Sequence, residues 1–233
     1  MTSATTIHTS GTETAVRPVT VVIVDDHTMV RGGLRSILED VEGIKVVGEA
    51  ENGRDAIEMA AKYAPDILLL DVAMPGLNGV EAARKIRSAD PKIKIIAVSM
   101  HSDERYVAGI LDAGGRGYLL KTCDAAELIR AIHSVMRGKI YVTADLTHVL
   151  VNRMHGDASS SGASRFDTLT PREREVLQLI AEGFTSKEIG EKLGAAMKTV
   201  ETHRTNLIRK LDIHSIAELT KYAIREGLSG LAE

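Results

Sequence analysis

Five polar residues within the first 121 positions of this 233-residue chain stand after short apolar runs. Asp25 and Asp26 follow Val19–Val24, Asp71 follows Asp66–Leu70, Ser99 follows Ile93–Val98, and Lys121 follows Gly117–Leu120. Singly, each has an ordinary use: Asp25 could cap a helix and Lys121 could be a solvated surface lysine. Their convergence is what suggests chemistry. Clustered carboxylates raise one another's pKa unless a cation offsets them. Oxygen-only ligands favour Mg²⁺. A carboxylate beside such an ion can act as a nucleophile and become an aspartyl phosphate. A lysine and a hydroxyl can then hold the phosphoryl oxygens.

These residues converge only if particular elements carry them. Val19–Val24, Lys45–Glu49, Asp66–Leu70, Ile93–Val98 and Gly117–Leu120 are apolar on both faces, as strands buried in a parallel sheet are. Helical patterns over His27–Asp40, Gly53–Tyr63, Val80–Ser88, Asp103–Asp112 and Asp124–Arg137 alternate with them. Five such units predict a doubly wound α/β domain with a five-stranded parallel sheet, over residues 18–140. Ligands of such sheets bind at the carboxyl ends of the strands, where all five residues fall.

Residues 1–17 are rich in Thr, Ser and Ala and read as a disordered leader, without the basic start and apolar core of a secretory signal. Residues 141–166 read as a linker, with a helical segment Ala144–Met154 followed by the polar stretch His155–Ser164. Residues 167–233 read as a small all-α domain of four helices. Thr170, Pro171 and Glu173 form a capping box at the first helix, and Thr185 with Glu188 repeats it at the second. The third helix runs Met197–Leu211 and the fourth Ser215–Glu226. Two short helices joined by a glycine-containing turn suggest a helix-turn-helix. Between Lys198 and Lys210 there are four Lys or Arg and one acid, whereas the segment from Arg165 onward is neutral with 11 of each sign. An amphipathic helix with a solvated basic face would show the same charge.

Composition narrows the classes. No run of 18 apolar residues exists, so no transmembrane helix and no membrane partner is expected. The single Cys123 excludes an internal disulfide framework and points to a reducing cytoplasm. Aromatics are 3% and Trp is absent, which argues against a single-strand binder built on base stacking.

The order Asp25-Asp26, Asp71-Val-Ala-Met-Pro-Gly-Leu-Asn-Gly79, Val98-Ser99 and Gly117-Tyr-Leu-Leu-Lys121 resembles a bacterial response-regulator receiver domain of flavodoxin-like fold. Leu169-Thr-Pro-Arg-Glu-Arg-Glu-Val-Leu177 with Lys198-Thr-Val-Glu-Thr-His-Arg-Thr-Asn-Leu-Ile-Arg-Lys-Leu211 resembles the LuxR-type four-helix DNA-binding domain. Together they resemble the NarL/FixJ class of two-component transcription regulators. The resemblance implies that Asp71 accepts a phosphoryl group from a sensor histidine kinase. It implies that Asp26, Asp71 and the Ala73 carbonyl ligate Mg²⁺ while Asp25 acts through water. Ser99 and Tyr118 match the family's switch pair, in which the tyrosine swings inward. His101, two residues past Ser99, holds a position that tunes phosphate lifetime. The unphosphorylated receiver would mask the recognition helix, and phosphorylation would favour a homodimer on double-stranded promoter DNA. In that scheme Glu201, Thr202 and Thr205 face bases. Lys198, Thr199, His203, Arg204, Asn206 and Lys210 contact phosphates or flanks, and Thr185 and Lys187 touch the backbone from the preceding helix. The family usually has Ser where this chain has Ala196, which cannot cap the recognition helix.

Three rivals remain. A Mg²⁺-dependent phosphohydrolase would need a second acid two residues past Asp71, where Ala73 stands, so no enzyme is expected. A receptor for a small autoinducer would need an aromatic-rich pocket, and the leading domain has no Trp or Phe. A regulator independent of phosphorylation would have no need of the complete acidic set.

Overall fold

The computed structural model describes residues 17–154 and 165–228. The leader up to residue 16 and the polar segment 155–164 lie outside the described residues. The first domain is a parallel sheet of β1 (Val19–Val24), β2 (Ile44–Ala50), β3 (Ile67–Leu70), β4 (Lys94–Ser99), β5 (Gly117–Leu120) and β6 (Tyr141–Val142), in the order β2-β1-β3-β4-β5-β6. Between the strands run α1 (Thr28–Glu39), α2 (Gly53–Tyr63), α3 (Gly79–Ala89), α4 (Glu104–Asp112) and α5 (Ala125–Met136).

Strand alternation builds two cores. Val21, Ile23, Leu69 and Ile96 meet α1 and α5 on one face. Val22, Val24, Leu68 and Ile95 meet α2, α3 and α4 on the other. Strands covered on both faces must be apolar at every position, which is why they read as continuous runs. β2 lies on one side of β1 and β3 on the other, so the winding direction reverses there. The crevice of such a sheet therefore opens between the carboxyl ends of β1 and β3.

Two findings depart from the sequence reading. The sheet has six strands rather than five, because Tyr141 and Val142 pair with Gly117 and Tyr118. Part of the expected linker therefore belongs to this domain. The 3₁₀ turn Ala144–Leu146 and α6 (Thr147–Met154) follow, and Leu146 and Val149 are buried in its core. At the other end, Arg17 of the expected leader forms a bidentate pair with Asp66, at 3.0 and 2.7 Å.

The second domain comprises α7 (Pro171–Ala181), α8 (Ser186–Leu193), α9 (Met197–Leu211) and α10 (Ile216–Arg225) around one core. Both expected capping boxes are formed. A Cβ at Gly190 would lie 2.7 Å from the Ala195 carbonyl, so glycine there lets the chain turn closely from α8 into α9. Among the described residues no helix is long and apolar enough to cross a membrane.

Candidate phosphoacceptor pocket and nucleic-acid interface

The sheet brings the five polar residues together. Backbone bonds from Asp25 to Ala50, from Asp71 to Val24 and from Lys121 to Ser99 extend the strand ladders to the residues that carry chemistry. Asp25, Asp71 and Ser99 are buried and Asp26 is more open. Lys121 Nζ lies 2.7 Å from Asp25 Oδ2 and 2.8 Å from Asp71 Oδ2. Asp71 Oδ1 accepts from the Val72 amide at 2.7 Å and the Ala73 amide at 3.4 Å. The loop after Asp71 then returns tightly to the strand end: a Cβ at Gly79 would fall 2.0 Å from the Asp71 carbonyl. Glycine there is required by the close approach of α3 to the Asp71 backbone.

The electrostatics follow from burial. Desolvation raises the Asp71 pKa and Asp25 adds to the rise, while Lys121 opposes it by hydrogen bond and charge. Burial works against the Lys121 ammonium, but hydrogen bonds to Asp25 and Asp71 outweigh it and hold its pKa above the usual lysine value. Ligand atoms of Asp25, Asp26, His27 and Asp71 lie within 4.8 Å of one another. His27 was not singled out in the sequence. Its Nδ1 is 2.8 Å from Asp26 Oδ1 and 3.2 Å from Asp25 Oδ1. Three clustered carboxylates, two of them on one lysine, make an oxygen-rich set that suits a hard divalent cation.

Ser99 and Tyr118 both bond to His101. Ser99 Oγ accepts from the His101 amide at 3.2 Å. Tyr118 is fully buried, with its hydroxyl donating to the His101 carbonyl at 2.7 Å. Burial pushes the phenol pKa far up, so it stays a neutral donor. The His101 ring stacks on Tyr106, with ring centroids 4.7 Å apart. Burial raises the Cys123 pKa too, against a reactive thiolate there.

In the second domain Lys187, Lys198, Thr199, Glu201, Thr202 and Thr205 are exposed, and His203 and Asn206 are half-buried. Among the described residues the base-facing side of α9 is exposed, where the expectation had the receiver mask it. The receiver packs against α7 instead, through buried polar contacts such as Gln178 with Asn78. Two expected DNA contacts are engaged elsewhere. Lys210 donates to Glu173 and to the Thr168 carbonyl, and Arg204 donates to Ser186 Oγ at 2.7 Å. Their cationic ends hold α9 onto its neighbours. Thr185 spends its hydroxyl on Glu188. Ala196 stands at the start of α9 without a side-chain cap, as expected.

An acidic pocket at a topological switch point, joined to a helix-turn-helix, defines a phosphoacceptor domain coupled to a DNA-binding one. Comparison with known proteins agrees. Residues 21–133 match the response regulator receiver domain, and residues 167–223 match the bacterial regulatory proteins of the luxR family. The response regulator UvrY of Escherichia coli (strain K12) is 39% identical over 211 residues, covering 90% of this chain and 95% of that one. The oxygen regulatory protein NreC of Staphylococcus aureus (strain JH9) is 40% identical over 212 residues, covering 89% and 98%. RcsB from Salmonella enterica serovar Typhimurium, solved bound to a promoter with a phosphomimetic, matches with a TM-score of 0.56 and 29% identity. That match covers 88% of this chain and 98% of RcsB. The chain belongs to the NarL/FixJ class of response regulators, a receiver followed by a LuxR-type DNA-binding domain.

Proposed function

We propose that this regulator binds double-stranded promoter DNA under control of phosphoryl transfer to Asp71 from a sensor histidine kinase. The observation that carries the reading is Lys121 Nζ bridging Asp25 and Asp71, at 2.7 and 2.8 Å. An Asp71 carboxylate oxygen attacks phosphorus, and a P–O bond forms as the P–N bond of the donor phosphohistidine breaks. The imidazole keeps the electron pair and takes up a proton. Lys121 and Ser99 bind the peripheral phosphoryl oxygens, so charge developing there meets donors already in place. Asp26, Asp71 and the Ala73 carbonyl would hold Mg²⁺ directly, with Asp25 acting through water. That ion supplies charge neutralisation for phosphoryl transfer. With Ala73 where a phosphohydrolase needs its second acid, the protein is a phosphoacceptor and not a turnover enzyme. Its place of action is the cytoplasm, where kinase and promoter are both available.

On the DNA side α9 enters the major groove with Glu201, Thr202 and Thr205 toward base edges. Lys198, Thr199, His203 and Asn206 position it against phosphates, with Thr185 and Lys187 from α8. RcsB, solved as two dimers bound to two parallel DNAs, supports a homodimeric DNA-bound form for this chain. Selection from random duplexes, with and without a small acyl phosphate and Mg²⁺, tests the reading. Wild type should gain duplex affinity on treatment and an Asp71→Asn variant should not. Equal affinity of treated and untreated wild type would contradict it.

A further inference from the structure

Gln178 is a polar side chain only 1% exposed, on a helix of the DNA-binding domain. Its Nε2 donates to the Met74 carbonyl at 3.0 Å and to Glu182 Oε1 at 2.8 Å. Its Oε1 accepts from the backbone amide and from Nδ2 of Asn78, both at 3.1 Å. Glu182, one helical turn on, accepts from the Gly76 amide at 2.9 and 3.2 Å. Two side chains at i and i+4 therefore hold the loop backbone at alternate residues, 74, 76 and 78. The ion pairs Arg174–Glu81, at 3.2 Å, and Lys85–Glu175 lie alongside.

The loop so held begins at the phosphoacceptor. Asp71 accepts from the Val72 and Ala73 amides, and Met74 is the next residue. Asn78 also caps α3, accepting from the Glu81 amide at 2.9 Å. We propose that Gln178 and Glu182 are positioning residues for the receiver's cation and phosphoryl site, acting across the domain boundary through residues 74–78. The proposal rests on the phosphoacceptor reading of Asp71. A loop that loses these partners exchanges them for water and gains conformations in which the Ala73 carbonyl is misdirected. Coupling of this kind is reciprocal: whatever the docked α7 adds to cation binding, the bound cation adds to docking. The contact is polar with ionic flanks, and water can replace it at modest net cost. It therefore suits a joint that adjusts with the state of the pocket.

The test uses the full chain and reads Mg²⁺ affinity by calorimetry, and the rate of phosphoryl uptake from acetyl phosphate by intact mass. Gln178→Leu and Glu182→Ala should each weaken Mg²⁺ binding at least threefold and slow uptake. Glu182→Gln, which keeps an acceptor for the Gly76 amide, should stay within twofold of wild type. Glu182 is only half-buried, so its variants keep the test open if Gln178→Leu fails to fold. Unchanged Mg²⁺ affinity in the variants, or a loss in Glu182→Gln as deep as in Glu182→Ala, would overturn the proposal while wild-type uptake left Asp71 standing. No uptake by wild type would remove the phosphoacceptor reading and this proposal with it.

Discussion

Lys210 Nζ, near the end of the recognition helix, donates to Glu173 Oε2 at 2.7 Å, and Glu173 is the residue that closes the capping box of α7. One carboxylate thus serves a helix start and the anchor of the helix expected in the groove. Burial pushes the Glu173 pKa up, but the Lys210 hydrogen bond and the Thr170 amide outweigh it and hold the carboxyl below its usual range.

A group with a depressed folded pKa contributes stability that is present above its unfolded pKa and lost as pH falls through the folded value. Lys210→Met should therefore cost the helical domain about 1–2 kcal/mol at pH 7. The gap from wild type should close below about pH 4. Thermal melts at several pH values check this. A gap that does not change with acidification would count against the pair.

Salt dependence separates the two kinds of lysine on α9. Lys198 is exposed, so Lys198→Ala should reduce the slope of log affinity against log salt by about 1. Lys210→Met should leave the slope near that of wild type. Titrations at several salt concentrations read both slopes.

Thr202 donates its hydroxyl to the Lys198 carbonyl and Thr205 to the Glu201 carbonyl, both at 3.0 Å. Hydroxyls turned back onto the helix leave the γ-methyls free for the apolar thymine contact proposed above. Replacing a contacted thymine by uracil should cost wild type about fourfold in affinity, the worth of one buried methyl. In Thr202→Ser the difference should vanish at one thymine. An equal uracil penalty in both proteins would exclude the contact.

Ala196 precedes α9 with extended backbone, φ −63° and ψ 143°, and no side-chain cap. Ala196→Ser should add about 1 kcal/mol to the stability of the helical domain and slow amide exchange at Thr199–Glu201. Strong protection of those amides in wild type would show that the missing cap is compensated.

The pocket was legible because each of its residues ends a strand, and strand ends follow from the apolar runs. The capping boxes at Thr170 and Thr185 were legible because they are local. Other features depend on partners far apart in sequence. Tyr141–Val142 is too short to show period-two patterning, and its pairing with β5 comes from the sheet's open edge. Nothing in the sequence singles out Gln178 and Glu182, since a covered polar face leaves no mark in it. Lys210 has the type and position of a phosphate contact, and only the position of α7 reveals its other partner.

The most direct measurement is the intact mass of the full chain after incubation with acetyl phosphate and Mg²⁺, beside Asp71→Asn and Lys121→Met. Wild type should gain one phosphoryl group and Asp71→Asn none. Lys121→Met should load roughly a hundredfold more slowly, as expected for losing one preorganised charge at the reacting group. An adduct of equal size on Asp71→Asn, or none on wild type, would contradict the account.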